Sequence, residues 1–141
     1  FNTYGPGEWY HPFRSVNCLF TYNLLHKKPI TVFKGHSRTS TYIYDSVRTL
    51  ANIADNFIDG ETYNIASDQE HTIENLAELL VKYTKADPAL VDYREHSEVL
   101  TTKHKHVDAS KSVRDLDHKN TVSLEEGVWE TVQWMKEHYR L

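Results

Sequence analysis

Phe1-Asn2-Thr3-Tyr4-Gly5-Pro6-Gly7-Glu8-Trp9-Tyr10-His11-Pro12 opens the chain, with two glycines and two prolines in twelve residues. Glycine loosens the backbone and proline removes a donor, so the stretch reads as a turn and not as the interior of a helix or a central strand. Behind it, Val16, Leu19, Phe20, Leu24 and Leu25 recur at helical spacing until Pro29 stops the run, which predicts a first helix over about Phe13 to His26.

Three further stretches carry recognisable patterns. They are Gly35-His36-Ser37-Arg38-Thr39-Ser40-Thr41-Tyr42-Ile43-Tyr44-Asp45, then Tyr63-Asn64-Ile65-Ala66, then Val107-Asp108-Ala109-Ser110-Lys111 with Arg114-Asp115-Leu116 and Leu124-Glu125-Glu126-Gly127 behind it. With Asn2-Thr3-Tyr4-Gly5-Pro6 at the start, the set resembles four segments of the extended short-chain dehydrogenase/reductases, the NAD-dependent epimerases and dehydratases that act on nucleotide sugars. Those segments are Asn-x-Tyr-Gly-Pro, Gly-x-x-x-Arg-Asp-x-x-Tyr-Val-x-Asp, Tyr-Asn-Ile-Gly and the closing stretch, met here in the same order and over nearly the whole chain. In that family the first of them follows the sixth strand of the dinucleotide-binding sheet. The resemblance therefore implies that residues 1–141 are a C-terminal nucleotide-sugar-binding domain whose N-terminal NAD-binding half is absent, and the start at Phe1 fits a fragment. The fold class it implies is α/β: the substrate-binding portion of such an enzyme, with mixed short strands and about five helices, lacking most of the Rossmann sheet.

Composition narrows the alternatives. A chain of 141 residues is one domain's worth and buries a modest core. Sixteen basic against 20 acidic residues give a net charge of -4 with mixed signs, which provides no basic field for nucleic acid. The single Cys18 cannot build a disulfide framework, so a reducing, cytoplasmic setting is the expectation. No apolar run approaches the roughly 20 residues of a membrane span, and no stretch reads as the charged-then-apolar pattern of a signal peptide. Homodimerisation, by the resemblance, belongs to helices of the absent half.

The remaining elements follow from period and caps. Ile30 to Phe33 and Thr39 to Tyr44 read as strands from their β-branched and aromatic content. Asp45 is expected to cap a helix with Val47, Leu50, Ala51, Ala54 and Phe57 as its buried stripe, ended by Asp59-Gly60. Glu61 to Ala66 reads as the next strand, and Thr72 as the cap of a helix facing inward with Ile73, Leu76, Ala77 and Leu80. Leu90 to Tyr93 is a short strand, Asp108 caps a short helix to Leu116, and the polar stretch between His96 and His106 has no clear period. Ser123-x-x-Glu126 is a capping box that opens a last helix with Leu124, Val128, Val132, Met135 and Tyr139 on one side.

Catalysis in the resembling family needs a glycine-rich turn for the NAD pyrophosphate and a Tyr-x-x-x-Lys pair. The five glycines make no such cluster and no tyrosine is followed four residues later by lysine, so no catalytic residue is assigned and the chain alone is expected to be inactive. The resemblance leaves the substrate side: a nucleotide-diphosphate sugar, with NAD bound mainly by the absent half. A diphosphate calls for fixed cations and amide donors, and a base for an aromatic wall. Arg38, in the family's arginine position, is the first candidate for the diphosphate, since guanidinium offers a bidentate fork. Asn2 is the second, with a turn-stabilising Asx side chain as the plain alternative. Arg14 at the start of the first helix, and Phe33 beside Thr31 and Val32, fall where relatives bind phosphate and base; a solvated arginine and a core phenylalanine fit the sequence equally. Lys103 and Lys105 stand where relatives carry an arginine-rich phosphate segment, although the Arg-Pro-Gly of several members would fall near Glu98-Val99-Leu100, which lacks it. His104 and His106 have no third ligand at a zinc-motif spacing, and metal binding is not assigned. The contrasting reading is a non-catalytic module that binds a nucleotide or a protein partner without redox chemistry.

Overall fold

The computed structural model describes residues 2–95 and 102–141; the Glu98-Val99-Leu100 stretch lies outside them. Five α-helices and short strands alternate: β1 (Thr3–Tyr4), α1 (Val16–Leu25), β2 (Ile30–Phe33), β3 (Ser37–Thr39), β4 (Thr41–Tyr42), α2 (Ile43–Asn56), β5 (Glu70–Thr72), α3 (Ile73–Thr84), β6 (Val91–Arg94), β7 (His104–Lys105), α4 (Ser110–Leu116) and α5 (Leu124–Tyr139). The strands form three small sheets: β1 parallel to β4, β2 parallel to β6, and a three-stranded sheet in the order β5-β3-β7.

The core sits where α1, α3 and α5 meet over β2. Leu76, Ala77 and Leu80 of α3 and Val128 and Val132 of α5 interlock with Leu24, Ile30 and Val32, and Tyr4 and Tyr42 close one end. Thr72 caps α3 as expected, its hydroxyl accepting from the Asn75 amide at 3.1 Å. Ser123 likewise accepts from the Glu126 amide at 3.2 Å, the forward half of the capping box. Each hydroxyl satisfies an amide that has no partner within its own helix.

Helix α1 departs from the expected stripe. Its fully buried residues are Asn17, Cys18, Thr21 and Leu24, while Val16, Phe20 and Leu25 are half-buried against the edge of the core. Thr21 manages burial by donating to the Asn17 carbonyl one turn back, and Asn17 reaches Ser40 through its amide at 3.4 Å. Cys18 is enclosed, and burial pushes its thiol pKa up to about 12.

Helix α2 is the larger correction. It begins at Ile43, with Tyr42 in the capping position and no side-chain cap, so Thr39 to Tyr44 is not one strand and Asp45 is not the cap. Asp45, Ser46 and Thr49 are its buried residues, and Val47, Leu50 and Phe57 of the expected inward stripe stand about half exposed. The cause is a polar seam. The Asp45 carboxylate, 2% exposed, accepts from the Thr121 amide at 3.0 Å, the Thr121 hydroxyl at 2.6 Å and the Val122 amide at 3.3 Å. Thr49 lies 2.6 Å from Nδ1 of the buried His118, whose Nε2 is 2.9 Å from the Ala66 carbonyl, and Asn52 donates to the Leu116 carbonyl at 2.9 Å. Those bonds turn the polar side of α2 inward.

Residues 61–66 carry no regular secondary structure and belong to no sheet, so the strand expected there is not formed. Asp108, the expected cap, accepts from the Ser110 amide at 2.9 Å but stands one residue before the capping position, which Ala109 occupies with no side-chain bond, and α4 starts at Ser110. Lys85, Asp117 and Arg140 take left-handed backbone at the ends of α3, α4 and α5, closing each helix.

Candidate nucleotide site

Period-two alternation makes β2 two-faced. Ile30 and Val32 enter the core, while Thr31 and Phe33 point to the other side. There they meet Val16 and Phe20 of α1, His36 of the β2–β3 loop, Arg38 of β3 and Ile73 at the start of α3, around a cavity of about 200 Å³. The walls are mainly apolar, and Arg38 brings a permanent cation to them. Phe33 is 37% exposed, with its ring 6.0 Å from that of His36 at a tilt of 41°. A flat aromatic in a half-open apolar slot is the wall that a nucleobase needs.

Arg38 is held by its strand and by the segment before β7. Its Nη1 donates to the Ser37 carbonyl at 2.6 Å and the Lys103 carbonyl at 3.1 Å. Among the described residues both of its side-chain hydrogen bonds use Nη1, which leaves Nε and Nη2 as donor capacity. Burial lowers the Arg38 pKa from its ordinary value, yet a guanidinium remains charged throughout the working range. A fixed, partly desolvated cation with unused donors can hold a diphosphate.

The flanking strands add further groups. Lys105 is in register with Arg38 on β7, and the aliphatic end of Lys103 lies over Gly35, its Cε 3.2 Å from where a Cβ would stand. On the other side His71 is paired across β5 with Arg38. Burial, and then the Arg38 charge, push the His71 pKa down to about 4, so this imidazole is neutral at pH 7. Its Nε2 lies 3.2 Å from the Ser40 hydroxyl. On β3 itself the Ser37 hydroxyl donates to Glu70 and lies 2.8 Å from His104 Nδ1, which ties β5 and β7 to the centre strand.

Phe33 and Arg38 line this cavity; Lys103 and Lys105 neighbour Arg38 through hydrogen bonding and register without lining it, and the two other candidates lie elsewhere. Asn2 sits beside β4, its carbonyl accepting from the Thr41 amide at 3.2 Å and its side chain donating to the Thr39 carbonyl at 3.5 Å. Its reach to Arg38 is through the backbone of β3. Arg14 is exposed and lines a separate cavity of about 310 Å³ with the Gly5-Pro6-Gly7 turn, Glu8 and Ile43. The turn approaches α2 closely: Gly5 has φ +142°, and a Cβ there would stand 2.5 Å from Ile43 Cγ2, so no other residue fits. His36 and His71 were not found from the sequence. Their only sequence signal is position, one two residues before Arg38 and one directly before the Thr72 cap.

Gly35 lies under Lys103, Gly127 is inside α5 against Tyr4, and Gly7 and Gly60 are open turns with nothing within 4 Å of a built Cβ. Among the described residues no three His, Cys, Asp or Glu side chains gather where they could hold a metal ion, and no helix is long and apolar enough to cross a membrane.

No protein-family model matches the chain. Curated relatives do match, among them a UDP-N-acetyl-alpha-D-glucosaminuronate decarboxylase of Bacillus cytotoxicus, 28% identical over 97% of this chain, and a dTDP-glucose 4,6-dehydratase of Salmonella typhimurium, 30% identical over 94%. The chain spans 44% and 38% of their respective lengths. Among solved structures, an epimerase of Methanothermobacter thermautotrophicus superimposes with a TM-score of 0.89 at 28% identity, over 99% of this chain and 42% of that one. A UDP-glucuronic acid 4-epimerase variant of Bacillus cereus, in complex with UDP-4-deoxy-4-fluoro-glucuronic acid and NAD, superimposes with a TM-score of 0.81 at 26% identity, over 99% and 44%. The homologues and structural neighbours are NAD-dependent nucleotide-sugar epimerases and dehydratases of the extended short-chain dehydrogenase/reductase kind, each matched over about 40% of its length.

Proposed function

We propose that residues 1–141 are the C-terminal, nucleotide-sugar-binding domain of an NAD-dependent nucleotide-sugar epimerase or dehydratase, with cofactor binding and proton transfer supplied by a further polypeptide part. The observation that carries this reading is the cavity where Phe33 and the Arg38 guanidinium share one apolar-walled slot, on the two segments that resemble the substrate side of those enzymes.

In this reading Phe33 stacks the base and Arg38 accepts the diphosphate on its Nε and Nη2 donors. Lys103, just before β7, and Lys105 on it add positive potential, and His71 on the other flank of Arg38 is neutral at pH 7. Asn2 acts at one remove, by holding the Thr39 carbonyl next to Arg38. Arg14 contributes from the neighbouring cavity by the Gly5-Pro6-Gly7 turn. Fixing the diphosphate fixes where the sugar ring is presented, which is a catalytic contribution through orientation. NAD, held elsewhere, supplies hydride chemistry at a ring carbon; no residue of this chain is assigned to it.

Calorimetry of the chain with UDP-, dTDP- and GDP-sugars tests the proposal. At least one is expected to bind, and Arg38→Ala is expected to weaken it about tenfold or more, the scale of one charge-assisted hydrogen bond. Asn2→Ala and Arg14→Ala are expected to cost less. Equal binding by Arg38→Ala and the parent chain overturns the assignment. Turnover of any nucleotide sugar by the chain alone contradicts the division of labour.

A further inference from the structure

Phe33 and Arg38 share a cavity but belong to different sheets, β2 pairing with β6 and β3 with β5 and β7. No ladder therefore fixes their spacing, and the loop that joins β2 to β3 has to. Its backbone is tied at each position. The Lys34 amide donates to the Arg94 carbonyl at 3.0 Å, the Ile73 amide to the His36 carbonyl at 2.9 Å, and the Ser37 amide to the Lys103 carbonyl at 2.9 Å. Gly35, at the apex with φ +69°, is held differently: its amide donates to Glu74 Oε1 at 2.6 Å. Of these ties it is the one made by a side chain, and it is charge-assisted. Glycine gives the apex its widest choice of backbone angles, so the Glu74 bond selects one loop shape at that point.

Glu74 stands in the first turn of α3, directly after Ile73, which lines the cavity. A carboxylate there also complements the helix dipole, but that use asks only for negative charge, not for contact with a loop. Glu74 Oε2 is buried with no hydrogen-bond partner among the described residues, an arrangement that costs free energy. One oxygen gives up solvation while the other reaches the loop apex.

We propose that Glu74 is a positioning residue for nucleotide binding: by holding the Gly35 amide it fixes the distance between the Phe33 wall and the Arg38 guanidinium, and so the base-to-diphosphate span that the slot accepts. The inference rests on the function proposed above.

Calorimetry of the full chain with UDP, dTDP and GDP is the test. Glu74→Gln retains an acceptor of the same reach and is expected to bind the preferred nucleotide within about threefold of the parent, the loss of one ion's share of a single bond. Glu74→Asp keeps the charge for α3 but is one methylene short of Gly35. It is expected to lose about tenfold or more, as is Glu74→Ala, the scale of one charge-assisted hydrogen bond. Glu74→Asp decides the matter if the circular dichroism of Glu74→Ala shows that it does not fold. By nuclear magnetic resonance, the Gly35 amide proton shift is expected to follow a carboxyl titration in the parent and to lose it in Glu74→Gln. The proposal is overturned if Glu74→Asp binds as the parent does, if Glu74→Gln loses as much as Glu74→Asp, or if the Gly35 shift ignores the titration. A parent chain that binds none of the three nucleotides defeats the function proposed above and this inference with it. Binding by the parent that the variants leave unchanged defeats this inference alone.

Discussion

His71 keeps a neutral imidazole opposite a guanidinium, and that choice has a pH signature. Its folded pKa of about 4 lies below the ordinary 6.5, so between those values the unfolded chain binds more protons and stability falls as pH falls. The stabilisation is fully present above pH 6.5 and lost toward pH 4. The difference sets an upper bound of about 3 kcal/mol. Thermal melts at pH 7 and pH 4.5 are expected to show a larger acid loss for the parent chain than for His71→Gln; equal losses would refute it. Gly127 carries a second prediction, of unusual sign. Alanine normally stabilises a helix interior by about 1 kcal/mol over glycine, but here its Cβ would collide with Tyr4 and come within 2.8 Å of Tyr42 Cδ2. Gly127→Ala is therefore expected to destabilise by about 1 to 3 kcal/mol in urea unfolding. Arg38 was named from its place in the Gly35–Asp45 stretch and Phe33 from the strand before it; what the structure adds is that both line one cavity. His36 and His71 were not named, because their roles come from cross-strand register, which one strand does not encode.

Among the elements, α3, α5 and β2 were read correctly because one side of each is apolar and that side is the one buried. Leu80→Ala is accordingly expected to cost about 2 to 5 kcal/mol. The same logic failed for α2, whose period is as clear. A periodic pattern says that a helix has two unlike sides, but not which faces its own core, and a carboxylate with three donors from residues 121 and 122 outweighs an apolar stripe with nothing to cover it. Leu50→Ala is expected to change stability by less than about 0.5 kcal/mol, and Asp45→Ala by about 2 to 4 kcal/mol through orphaned buried amides. Denaturant titration of the two variants checks the order, and a reversal would mean α2 packs the other way. The strand expected at Glu61 to Ala66 is a miss: β-branched and aromatic composition alone does not make a ladder, and these residues carry no regular structure.

At the scale of the molecule, two kinds of cohesion meet. The α1, α3 and α5 side is joined by apolar burial, whereas α2 and α4 adhere through Asp45, Thr49, Asn52 and His118. A unit fastened by directional bonds detaches while exposing little hydrocarbon. Native-state exchange in rising urea is thus expected to show α2 amides with a shallow denaturant slope and α3 amides with the steep slope of complete unfolding; a common slope would refute this. Because detachment would bare few greasy atoms, it also brings little change in heat capacity. Warming should loosen the two regions by different laws, so calorimetry would resolve a broad, low-amplitude shoulder ahead of the main endotherm.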